Sequence, residues 1–256
     1  LDQYDMGRRS AEIDEIFDDL KMFLPEFISQ VQDIQAKQDN IEKPKGNFPI
    51  EKQKSLAKKL MQQIGFNFNK GRLDTSLHPF SGGTPNDNRI TTRYNQEDFT
   101  ESLMGVLHET GHAMYESGLP HEYISQPVGS SLGMTIHESQ SLLMEMQVCR
   151  SMPFMKFVSK ILPEYFGESE SFSPQNLYRL YNYVEPSLIR VDADEVTYPL
   201  HVIARYEIEK ALVEGDMEVD DIPSAWNEAY KKYLGVNVAS DKDGCMQDIH
   251  WSDGSF

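Results

Sequence analysis

Cysteine is scarce, with only Cys149 and Cys245 in 256 residues. Two are too few for a disulfide framework, and neither shows the CxxC spacing of a thiolate zinc or redox site, so both read as ordinary buried or half-buried thiols. Long apolar runs are missing as well. No stretch approaches the ~18 residues of a membrane span, and no basic start followed by an apolar segment suggests a secretory signal. The expectation is a cytoplasmic protein with no membrane partner. Basic residues are outnumbered, 24 Lys and Arg against 41 Asp and Glu, for a formal net charge of -17. A surface that negative repels phosphate backbones and anionic lipids, which argues against a nucleic-acid partner, and its plainest use is solubility. Repeats, low-complexity tracts and long linkers are also absent, so residues 1–256 read as a single domain.

What is present is mostly helical periodicity. From a cap at Ser10, apolar residues recur at three- and four-residue steps from Ile13 to Ile34, predicting one long amphipathic helix. A second runs from about Pro49 to Ile64 and stops at Gly65. Between Asn67 and Tyr94 the period disappears, and the β-branched run Arg89 to Tyr94 predicts a short strand or hairpin. Helical spacing resumes after Asn95, read as a cap with Asp98 three positions on, and continues to Gly118. Further helices are expected over about Thr135–Met152, Pro174–Val184, Tyr198–Glu214 and Pro223–Leu234, with proline tolerated in first turns and Gly215 and Gly235 at stops. His78, Pro79 and Phe80 read as a packed turn, and Met144, Met146, Tyr178, Tyr181 and Tyr183 as core.

The helix after Asn95 carries His108-Glu109-Thr110-Gly111-His112, an HExxH pattern. Residues four apart share a helix face, so both imidazoles converge on one ion, with Glu109 beside them. The bland alternative is two histidines decorating an amphipathic helix. Against it, His108 follows Val106 and Leu107 on the buried side, where an imidazole without a partner is costly. Gly111 costs ~1 kcal/mol inside a helix, which makes sense if another segment or a ligand comes close there. A catalytic zinc needs a third protein ligand and an open position. Glu138, 26 residues after His112 in the first turn of the next expected helix, is the candidate, with a helix-start acid that complements the dipole as its alternative.

Six motifs then occur in order: His78-Pro79-Phe80, Asp87-Asn88-Arg89-Ile90-Thr91 (DxRxT), the HExxH, His137-Glu138-Ser139-Gln140, Ile189 to Asp194 (IRxxAD), and Gly244 to Trp251 (GxxQDxHW). In these the chain resembles the M32 family of metallocarboxypeptidases, the thermostable carboxypeptidase Taq group, over nearly its whole length. The resemblance implies a mainly α, helical zincin-like metallopeptidase with a small β-sheet beside the active-site groove, one catalytic zinc or cobalt ion per chain, and a homodimer. Family members run to roughly twice this length, so the single catalytic domain of residues 1–256 is expected to be a fragment of a longer protein.

On this reading His108, His112 and Glu138 hold the metal and Glu109 is the general base toward a metal-activated water. The activity expected is release of C-terminal amino acids, with broad specificity, from peptides with a free C-terminus. Such an enzyme must bind a carboxylate, and Arg190 of the IRxxAD motif is the first choice, with Asp192 and Asp194 holding its side chain; the alternative is a structural Arg–Asp pair. His250 is expected to donate to the oxyanion or to the substrate terminus, and Asp248 to orient it or cap local backbone. Arg89 and Thr91 are assigned a structural or groove-lining place on an edge strand able to pair with an extended peptide. Two other readings are a zinc endopeptidase or oligopeptidase sharing every ligand, and a truncated non-catalytic domain.

Overall fold

The computed structural model describes residues 5–77 and 79–248. His78 and His250, with the rest of the GxxQDxHW motif beyond Asp248, lie outside the described residues. The architecture is mainly helical with one small sheet. In chain order the elements are α1 (Ser10–Gln35), α2 (Ile50–Ile64), β1 (Gly71–Thr75), β2 (Phe80–Thr84), β3 (Asp87–Thr92), α3 (Thr100–Ser117), α4 (Met134–Leu142), a π-helical segment (Leu143–Cys149), α5 (Met152–Val158), α6 (Leu162–Phe166), α7 (Pro174–Tyr181), α8 (Tyr198–Glu214) and α9 (Ile222–Leu234). No helix among the described residues is long and apolar enough to cross a membrane.

The chain divides into two compact units: residues 1–8 with 41–181, and residues 9–40 with 182–256. In the first unit, α2 ends where Gly65 takes a left-handed conformation and returns its N–H to Met61 and Gln62. The leucine stripe of α2 (Leu56, Leu60) joins Phe99, Leu103 and Leu107 of the α3 region and Met155, Leu162 and Leu177 in one core. Side chains of this size each contribute about 1.5–3 kcal/mol on full burial. A smaller cluster (Ala57, Met61, Ile90, Val106, Ala113) glues the sheet to the same two helices. Leu177 faces the first of these cores with Tyr181 one turn on, whereas Tyr178 and Tyr183 are exposed, correcting their expected place in the core.

The sheet has the order β1-β3-β2, with β3 antiparallel to β2 and parallel to β1. β3 is therefore the central strand and not an edge, so it has no free side on which to add a peptide. Its buried Asn88 donates to Ser117 Oγ at 2.9 Å, and Ser117 donates to the Ala113 carbonyl at 2.7 Å, which docks the DxRxT segment onto α3.

Several helix boundaries differ from expectation: Ser10 is the first residue of α1 and not its cap, and α7 ends at Tyr181, short of Val184. Asn95 makes an Asx turn to the Glu97 N–H, and it is Asp98 that accepts from the Thr100 backbone and hydroxyl, so α3 begins at Thr100 and not directly after Asn95. The run from Thr135 to Met152 is not one α-helix: it widens into the π segment after Leu142, and Ser151 then caps α5.

In the second unit α1 packs on α8 and α9 around Leu24, Ile28, Leu200, Ile203, Trp226 and Tyr230. α8 keeps the bounds expected for it and stops at the left-handed Gly215. Cys149 and Cys245 are both buried and free.

Candidate metal centre

Helix α3 carries His108, Glu109 and His112, and α4 brings Glu138 across to them from its fifth residue, just past the first turn where it was expected. Glu138 Oε2 stands 3.2 Å from His112 Nε2 and 3.7 Å from His108 Nε2. The three donor atoms all lie within 4.8 Å of one another, and they form the one cluster of this kind among the described residues. Glu109 and His112 are buried, and His108 and Glu138 are half-buried.

The reason these elements meet is at Gly111. A Cβ there would stand 2.6 Å from Ser141 Cα and 2.8 Å from the Gln140 carbonyl oxygen, so α4 crosses α3 at a separation only glycine allows. The helix-interior glycine thus has the use that its unfavourable propensity suggested.

Each histidine is held at its other nitrogen. His108 Nδ1 lies 2.9 Å from Glu145 Oε2 on the π segment, and Glu145 pairs in turn with Arg150, whose guanidinium also donates to the Tyr181 carbonyl at 3.2 Å. His112 Nδ1 lies 2.7 Å from Nδ1 of His137. The Ser141 hydroxyl reaches Glu138 Oε2 at 3.1 Å.

Burial and close charges work against each other here. For Glu138, burial by itself would raise the carboxyl, but the His112 contact, the charges of both histidines and the Ser141 hydroxyl outweigh it and hold the group ionised, down to about 2. Burial likewise opposes the charged form of His108, yet the Glu145 bond and the surrounding carboxylates raise it above the ordinary histidine value. Burial dominates for Glu109 and pushes it up against the pull of the two imidazoles. Glu145 sits below the usual range because His108 and Arg150 offset its desolvation.

The remaining expected site residues belong to the second unit or to the sheet. Arg190 is half-buried, and its charge helps lower His201, a fully buried histidine that desolvation pushes down to about 4. The Arg190 N–H donates to Gln247 Oε1 at 3.0 Å, and Gln247 Nε2 donates to the Leu188 carbonyl at 2.8 Å, so the IRxxAD and GxxQDxHW segments interlock. Asp194 does not spend its oxygens on Arg190. They accept from the backbone of Glu185, Val196 and Thr197 and from the Thr197 hydroxyl, which fixes the approach to α8. Asp248 is buried and ion-paired with Arg205 at 2.7 Å. Arg89 is exposed and pairs with Asp87, and Thr91 is buried with its hydroxyl bonded to Ser76 at 2.6 Å.

Comparison with known proteins decides the family. The model of the family described as Carboxypeptidase Taq (M32) metallopeptidase matches residues 1–256. The chain belongs to the M32 family. It is 40% identical to thermostable carboxypeptidase 1 of Thermus thermophilus and 39% identical to carboxypeptidase 1 of Bacillus subtilis, covering all of this chain and 50% and 51% of those proteins. The solved structure of Trypanosoma cruzi metallocarboxypeptidase 1 matches with a TM-score of 0.96 at 46% identity, over 100% of this chain and 53% of that one. The chain thus spans about half the length of the M32 relatives it matches.

M32 membership implies a metal ion, and the residues present fit one. Two imidazole nitrogens and an ionised carboxylate are the donor set that a borderline divalent cation takes. Donors on one tetrahedral zinc stand roughly 3.3 Å apart. The separations of 3.2 and 3.7 Å are of that size.

Sequence reasoning missed Glu145 and Arg150. Glu145 lies seven residues after Glu138, two helical turns on, which was a usable signal.

Proposed function

We propose that the whole protein of which this chain forms part is a metal-dependent carboxypeptidase of broad specificity, releasing amino acids from peptides with a free C-terminus. The observation that carries the reading is the convergence of His108 Nε2, His112 Nε2 and Glu138 within 4.8 Å, with buried Glu109 adjacent, in a chain that matches M32 end to end. Zinc is the ion proposed, one per chain, with cobalt able to replace it. A homodimeric, cytoplasmic enzyme completes the reading.

When bound, the ion supplies Lewis acidity that polarises the scissile carbonyl and acidifies water. Glu109 does the proton work. It takes a proton from the attacking water as the oxygen adds to the carbonyl carbon, and it gives that proton to the amine nitrogen as the C–N bond breaks. Burial, which raises Glu109 above the ordinary carboxyl value, suits a group that must both accept and return a proton near neutrality. His108 and His112 keep their Nδ1 sides on Glu145 and His137, which leaves both Nε2 atoms directed at Glu138. Arg190 is assigned to the terminal carboxylate of the substrate, which its planar fork matches, and His250 is assigned as a donor to the substrate.

The test is a pair of peptides differing only in a free or amidated C-terminus. Arg190→Ala should lower kcat/KM for the free peptide by roughly 10–100-fold and leave the amidated one nearly unchanged, since a charge-assisted contact contributes about 1.5–3 kcal/mol. Equal losses for both peptides would return Arg190 to a structural role, and efficient cleavage of amidated peptides would favour an endopeptidase.

A further inference from the structure

The His112 ring is gripped at both nitrogens by consecutive residues of α4. Its Nε2 faces Glu138 Oε2 at 3.2 Å, and its Nδ1 lies 2.7 Å from His137 Nδ1, with ring centroids 4.8 Å apart. Neighbours in a helix project about 100° apart, so two adjacent side chains can reach round one imidazole from different sides. A separation of 2.7 Å between ring nitrogens requires one hydrogen between them, with one ring donating and the other accepting.

Which ring donates follows from the proposed function, on which this inference rests. If His112 Nε2 is a ligand nitrogen, it presents a lone pair, and the hydrogen of the neutral ring is on Nδ1. His112 Nδ1 then donates and His137 Nδ1 accepts. His137 must in turn carry its own hydrogen on Nε2, and that atom faces Glu116 Oε2 at 3.5 Å. Tyr115 stands edge-on to the His137 ring at 5.0 Å and limits its rotation.

We propose that His137 is a positioning residue for the metal. As a neutral imidazole with its hydrogen on Nε2, backed by Glu116, it accepts the His112 Nδ1 hydrogen and so fixes both the orientation and the tautomer of that ligand. It is not a fourth ligand, because neither of its nitrogens joins the donor cluster formed by His108, His112 and Glu138. The two histidines of the HExxH are consequently held in different ways, His108 by the carboxylate of Glu145 and His112 by an imidazole. Partners of this kind orient ligating histidines and are worth about 10–100-fold in metal affinity.

The experiment is zinc titration of the full chain against a chromophoric chelator for the wild type, His137→Leu, His137→Asn and His112→Ala, with ring 15N spectra of the zinc-loaded wild type. His137→Leu removes the acceptor and should weaken zinc binding about 10–100-fold. His137→Asn places its Oδ1 where Nδ1 stood, so affinity should return to within a few-fold of wild type, a rescue that a merely structural role would not give. The 15N spectrum should show His137 with its hydrogen on Nε2, whether or not any variant folds. Wild-type affinity in His137→Leu, no recovery in His137→Asn, or a hydrogen on His137 Nδ1 would each overturn the proposal while leaving the metal site standing. Undiminished zinc binding in His112→Ala would instead bring down the metal site, and this proposal with it.

Discussion

Glu109→Gln retains the metal and loses roughly 10²–10⁴-fold in kcat, the span that a positioned general base contributes. Gln has nearly the same shape, so the buried position beside His108 stays filled, but its amide does not take up a proton near neutrality. Glu109 lies outside the cluster of three donor atoms, and for that reason metal content should not change. Elemental analysis of the purified variant beside steady-state kinetics on a peptide with a free C-terminus makes the comparison. Normal turnover in a metal-replete variant would remove Glu109 from this role.

Gly111→Val should be the most damaging small change at the helix crossing. The new Cβ meets backbone atoms of α4, Ser141 Cα at 2.6 Å and Gln140 O at 2.8 Å, and backbone cannot swing aside as a flexible side chain can. Relief requires α3 and α4 to part by about 1 Å, since carbon atoms rest near 3.5–4.0 Å. Overpacking of this kind costs about 1–3 kcal/mol. Parting the helices also carries Glu138 away from both imidazoles, and a metal site tolerates only about 0.5 Å of misplacement, so zinc affinity should fall by at least roughly tenfold. Gly105 in the same helix is the control. A Cβ there meets nothing within 4 Å, so Gly105→Ala should gain about 0.5–1 kcal/mol from helix propensity alone. Denaturant unfolding in the presence of chelator and zinc competition in its absence measure the two effects separately. If Gly111→Val matched wild type in both, the close crossing would not be what assembles the site.

Much of the fold was legible because it is built from regular amphipathic helices. α8 runs from Tyr198 to its stop at Gly215 as expected, and α2 stops at Gly65, both at left-handed glycines. The boundaries that went astray have local causes. Asn95 looks like a helix cap but closes an Asx turn, and Asp98 serves the helix instead. The three-stranded order could not be read from the run Arg89 to Tyr94 alone. β1 and β2 offer little β-branched pattern, and β3 becomes central only when both pair with it. The division into two units leaves no linker in the sequence, because the second unit is assembled from α1 and from residues some 140 positions later.

At the site, four-residue spacing alone put the two imidazoles on one helix face, whereas Glu138 stood level with a helix-start acid until the M32 resemblance was added; the structure brings all three side chains together. The supporting contacts were less accessible. Glu145 and Arg150 are five residues apart, a spacing that diverges on an α-helix and becomes adjacent only where the backbone opens into a π turn. His137 stood in plain view beside Glu138, but its contact with the far side of His112 depends on the crossing that Gly111 permits. The expected Asp194–Arg190 pairing gave way to backbone capping, since three N–H groups ahead of α8 lie closer to hand for a short carboxylate.

If His108, His112 and Glu138 hold one ion, that ion is visible by its own absorption. Anomalous diffraction from the metal-loaded protein, collected on both sides of the zinc absorption edge, is the measurement to make. One peak per chain is expected, bonded to both Nε2 atoms and to the Glu138 carboxylate, disappearing below the zinc edge, or below the cobalt edge if cobalt is the ion present. A folded, metal-loaded protein whose ion lies elsewhere, or whose Glu138 carboxylate stands apart from both imidazoles, would rule this metal centre out.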